Sequence, residues 1–120
     1  MYFEKDWLLR QIRVTAQMLA RLAFNKDTPF YEMENREAQS TEDFLHAKIM
    51  RLVEEGHFNE AEDLLFEGLE EYGITCLRVA TDFYARLNEF DDTVLEQHDF
   101  EREEIAKGLE DVKAMFGLFF

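Results

Sequence analysis

The sequence predicts an all-α fold, a bundle of about five main helices in one domain. Three observations predict it. Breakers are scarce, with one proline, Pro29, and five glycines among 120 residues, and a chain so poor in breakers favours long helices over short strands. Apolar residues recur at spacings of three and four along most of the chain, which is the helical period. Hydrophobic residues make up 47% of it, including twelve Phe, four Tyr and one Trp. That is enough bulk for a single core without metals or disulfide staples.

The elements follow in order. Residues 4–24 read as one amphipathic helix with an apolar stripe of Leu8, Ile12, Thr15, Leu19 and Leu22. Glu4 and Asp6 sit near its start, where negative charge suits the helix dipole. Residues 25–40 break the pattern and form a connecting segment, in which Asp27-Thr28-Pro29 looks like a helix start and Phe30, Tyr31 and Met33 suggest a short helix or packed loop. A helix pair is expected over 41–72. Ser40 or Thr41 caps its first member, and Leu45, Ile49, Leu52 and Val53 form the stripe up to a stop at Gly56. The second member runs from about Asn59 to Tyr72 on Ala61, Leu64, Leu65, Gly68 and Leu69, and Gly73 ends it.

The C-terminal helices span 75–117. A helix from about Thr75 to Asn88 is apolar over so much of its circumference that it is expected to be central. A turn and a short helix follow over 89–98, capped by Asp91 or Asp92 with Val94 and Leu95 facing in. A last helix starts near Asp99 on Ile105, Leu109, Val112 and Phe116.

Charge narrows the choice of partners. The chain carries 13 basic and 27 acidic residues, a net −14. Nucleic acid and anionic membrane surfaces are therefore excluded as partners of the whole surface. The asymmetry is internal: residues 1–26 hold five basic and two acidic residues, a net +3, which leaves −17 on residues 27–120. A basic first helix packed on an acidic body is the expected arrangement. With Cys76 as the single cysteine, no intrachain disulfide can form, which fits a reducing compartment. The opening residues do not read as a signal peptide, because Arg10 and Arg13 interrupt the apolar run. No uncharged stretch is long enough to span a bilayer, so a cytoplasmic protein is expected.

The three histidines and the single cysteine are the residues best suited to chemistry. A carboxylate-bridged metal centre in a bundle needs two Glu-x-x-His pairs and two further carboxylates. Glu54 and His57 have that spacing once, with Gly56 between them ending the helix. His46 shares a face with Glu42 or with Asp43, and His98 neighbours Glu101. No second pair completes a site, so no metal, cofactor or catalytic residue is assigned. Cys76 lies on an apolar face with Val79, Ala80 and Phe83 and reads as a buried structural thiol. The pairs Glu54-Glu55, Glu70-Glu71 and Glu103-Glu104 read as solvated helix faces. Partner binding has more support. Phe116, Leu118, Phe119 and Phe120 follow Met115 at the end of the chain, where such side chains are costly to leave in water. They are the candidate interaction residues, either folded back on the core or joining two copies as a homodimer.

Two resemblances add to this. The run Gly56-His57-Phe58-Asn59-Glu60-Ala61-Glu62-Asp63-Leu64-Leu65 resembles the central turn and second helix of a tetratricopeptide repeat, with Gly56, Phe58, Ala61, Leu65 and Gly68 in the small and large roles of that motif. It covers about a quarter of the chain. The second covers nearly all of it: Asp6-Trp7-Leu8-Leu9-Arg10-Gln11-Ile12, the stretch Leu22-Ala23-Phe24-Asn25-Lys26-Asp27 and the acidic helix pair resemble a family of small bacterial helical proteins of unknown function. That resemblance implies a bacterial helical domain and transfers no site residue. The expected role is a non-enzymatic protein–protein interaction or scaffold module with a protein partner. The alternatives are a metal-dependent or hydrolytic helical enzyme using His46, His57 or His98, and an acidic mimic of nucleic acid.

Overall fold

The structure, a computed structural model, describes residues 2–24 and 40–120, and within the first helix the side chains of residues 6–23. Six α-helices and one 3₁₀ turn make up the described residues: α1 (Tyr2–Phe24), α2 (Thr41–Glu54), α3 (Phe58–Tyr72), a 3₁₀ turn (Gly73–Cys76), α4 (Leu77–Glu89), α5 (Asp92–Gln97) and α6 (Arg102–Met115). The fold is an all-α bundle of five long helices with the short α5 between the last two. The connecting segment, with Pro29 and the short helix expected around Phe30, Tyr31 and Met33, lies outside the described residues apart from Ser40.

Helix α4 is the hub. It touches α1, α2, α3 and α6, and every residue from Val79 to Ala85 is buried. Helix α1 lies on α4 and α6 through Ile12, Ala16, Leu19 and Ala20. That contact is apolar: among the described residues no ion pair links Arg10 or Arg13 to the acidic body. Helices α2 and α3 pack against each other closely enough that a Cβ on Gly68 would lie 2.4 Å from Leu45 Cδ2.

The termini of the helices explain its path. Ser40 and Asp43 form a capping box at the start of α2, each side chain bonded to the other's backbone N–H. Gly56, at φ +82°, supplies the left-handed turn into α3. Asp91 caps α5 through the N–H of Val94. The last helix starts at Arg102, three residues later than the spacing predicts. The chain instead turns at Asp99, whose φ is 55°, so that Phe100 is fully buried while its N–H donates to the Leu95 carbonyl.

Candidate functional site

Among the described residues, two polar clusters, each beside one of the molecule's grooves, offer material from which a site could be built. The first cluster joins α2 to α4. Glu42 and His46 are four residues apart on α2, and Arg78, Asp82 and Arg86 follow the same spacing on α4, so each set lies along one face. Arg78 donates to Glu42 Oε1 through Nε at 2.8 Å and through Nη2 at 2.6 Å. Asp82 is fully buried. It accepts from His46 Nε2 at 2.8 Å and from Arg86 Nε at 2.8 and 2.9 Å. A carboxylate buried this deeply is costly unless every lone pair finds a donor. The arrangement therefore fixes the register of α2 on α4, and it orients the imidazole of His46.

The second cluster lies between α3, α4 and α6. Tyr84 is fully buried, and its hydroxyl donates to Glu62 Oε2 at 2.6 Å. Gly108 makes this possible, because a Cβ there would lie 2.2 Å from Tyr84 Oη. Burial raises the Glu62 carboxyl above its ordinary 4.5, the Tyr84 hydrogen bond opposes that rise, and Glu104, Asp63 and Asp111 add to it. Burial likewise raises the Tyr84 hydroxyl, with Glu62 contributing. A shallow groove of about 370 Å³ beside it is lined by Glu62, Phe66, Glu104, Lys107 and Asp111.

The candidate interaction residues are not equivalent. Phe116 and Leu118 pack partly buried against the core. Phe120 is held at both ends of its residue, its carbonyl oxygen accepting from Lys113 Nζ and its ring lying 4.6 Å from that ammonium. Phe119 is 94% exposed. Leu118 lines a groove of about 420 Å³ together with Leu22, Ala23, Ile74 and Leu77, bordered by Glu42 and Arg78. Leu22 and Ile74 are each 58% exposed. The end of α1, the 3₁₀ turn and the last residues of the chain therefore present one apolar surface at one end of the bundle.

The other sequence candidates are dispersed. His57 is exposed and stands 3.9 Å from Glu60. His98 donates from Nδ1 to the Val94 carbonyl at 2.9 Å, and its ring packs 4.8 Å from that of Phe58. Among the described residues no three His, Cys, Asp or Glu side chains stand close enough together to hold a metal ion. Cys76 is buried, and burial raises its thiol pKa. Residues 54, 55, 70, 71 and 103 are exposed.

Sequence reasoning missed Asp82, Tyr84 with Glu62, and Arg102. Arg102 is buried and donates to Asp92 Oδ1, to the carbonyl and side chain of Asn88, and to the Phe90 carbonyl. The alternation Arg78, Asp82, Arg86 facing Glu42, His46 was a usable signal for the first of these, since opposite charges at matching spacing on two helices can pair across an interface. No comparable signal marked Glu62, one glutamate among many.

No curated protein and no solved structure matches the chain. A family model does match, over residues 2–117. The chain belongs to the family of unknown function DUF6483.

Proposed function

We propose that this protein is a non-enzymatic protein–protein interaction module of the bacterial cytoplasm that works as a homodimer. The observation that carries the reading is the apolar end of the bundle, where Leu22, Ile74 and Leu118 line one groove and Phe119, the residue after Leu118, is exposed. Aligned exposed apolar side chains of this size mark contact surfaces in soluble proteins. A two-fold axis through this end would let Phe119 of each copy enter the groove of the other. The likeness of α2 and α3 to a tetratricopeptide helix pair supports the same class of function, as an analogy of fold. The polar clusters described above join helices to one another, and nothing in them requires a reaction.

The test is sedimentation velocity on the whole chain and on point variants. Removing residues 115–120 would also remove Phe116 and Leu118 from the core, so Phe119→Ser and Ile74→Glu are the better probes. The parent is expected to be a dimer and both variants monomers with unchanged helical content. Each large side chain is worth about 1.5–3 kcal/mol on burial, so losing both copies of Phe119 costs a dimer about 3–6 kcal/mol. A monomeric parent, or dimeric variants, overturns the dimer.

A further inference from the structure

Helix α1 carries a second apolar stripe. Its first faces the core. Trp7, Val14 and Met18, spaced by seven and four residues, fall on the opposite face and are 59%, 44% and 42% exposed. Arg10, exposed, runs along one edge of that stripe, with exposed Arg13 beyond it. A helix that buries one stripe ordinarily shows water a polar face. Single exposed apolar residues need no explanation. Three in a line, including the one tryptophan of the chain and bordered by arginines, have the Trp, Met and Arg composition enriched at protein interfaces.

We infer that the outer face of α1 docks an amphipathic helix of another protein whose apolar side is bordered by carboxylates. Charge complementarity selects this occupant. The arginine edge is the basic exception on a chain whose remaining residues, 27–120, carry −17, so it favours acidic partners and orders them in register. A second copy paired through α1 fits poorly, because an antiparallel two-fold pairing sets the arginine edge of each copy beside that of the other. An anionic lipid surface fits poorly too, since it would have to approach the acidic body along with the stripe. The inference rests on the interaction-module reading and is independent of the dimer.

Trp7 provides the readout, as no other tryptophan contributes to the emission. The whole chain is titrated with a synthetic helical peptide of roughly 18 residues, long enough to cover the stripe, with leucines on one face flanked by glutamates. A matched peptide flanked by lysines and vesicles of phosphatidylglycerol are titrated in parallel. The glutamate peptide is expected to shift Trp7 emission to the blue and to bind more weakly at high salt. The double variant Arg10→Glu/Arg13→Glu and the single variant Met18→Glu, both at exposed positions, are expected to lose about tenfold or more in affinity with unchanged circular dichroism. Phe119→Ser is expected to bind the peptide as the parent does, which separates this result from any failure of the dimer. The inference is overturned by no shift with the glutamate peptide, by an equal shift with the lysine peptide, or by a shift with vesicles alone. A blue shift that grows with protein concentration in the absence of peptide also overturns it, because a second copy then covers the stripe.

Discussion

Glu62 and Gly108 show how a single side chain, or its absence, sets local energetics. Burial lifts the Glu62 carboxyl above 4.5. Between that ordinary value and the raised one, the folded chain holds a proton that the unfolded chain has lost. Stability therefore falls as pH rises through the window and stays lowered above it. Glu62→Gln keeps an acceptor for Tyr84 and removes the charge. It is expected to be more stable than the parent at pH 7, with the difference fading as pH falls below 4.5. Urea midpoints at the two pH values check this, and a variant less stable at pH 7 contradicts it. At Gly108 the expected cost of an alanine is about 1–3 kcal/mol, because the new methyl meets a packed ring. Adding Tyr84→Phe is not expected to rescue it, since the ring carbons Cζ and Cε1 would still lie 2.3 and 2.5 Å from the Cβ. Full recovery in the double variant would show that the hydroxyl alone was the obstacle. Neither residue was legible in the sequence. A glutamate and a glycine on helical faces look ordinary until the ring that meets them is in place.

At the scale of elements, caps and stripes were legible because their causes are local. Ser40 with Asp43, Gly56 with its positive φ, and Asp91 each act within a few residues of the helix end they shape. The start of α6 was not, because what displaces it is the burial of Phe100 against Phe58, with ring centroids 6.2 Å apart, a contact 42 residues distant in sequence. Arg102 then locks the corner between α4, α5 and α6 by satisfying carbonyls at the end of α4, groups that have no partner within the helix. Arg102→Met is expected to cost about 2–4 kcal/mol, since it strips donors from a half-buried carboxylate and two carbonyls. Arg102→Lys is expected to recover less than half of that, because one ammonium cannot reproduce the guanidinium fork. Equilibrium unfolding in urea measures both. A lysine variant as stable as the parent would mean that charge, not geometry, holds the corner.

The whole molecule is governed by its charge and by what its surface leaves uncovered. With −14 on 120 residues, like charges repel one another within the folded chain, and an exposed pair such as Lys107 with Asp111 offsets little of that. Added sodium chloride is expected to raise the thermal midpoint as repulsion is screened. A midpoint that falls with salt would show that specific pairs such as Asp82 with Arg86 dominate. Composition and periodicity alone determined that this is an all-α bundle, that α4 lies at its centre, and that its acidity belongs to the residues after the first helix. Those properties follow from counts and from a repeat of 3.6 residues, which a linear reading can see. Tertiary structure alone decided which polar groups meet. It placed Asp82 between His46 and Arg86, set Tyr84 against Glu62, and separated the exposed Phe119 from its neighbours Phe116 and Leu118. The first two depend on helices brought together across many residues and the third on how the tail lies against the finished core, and the angle and register of such meetings are written in no single segment of the chain.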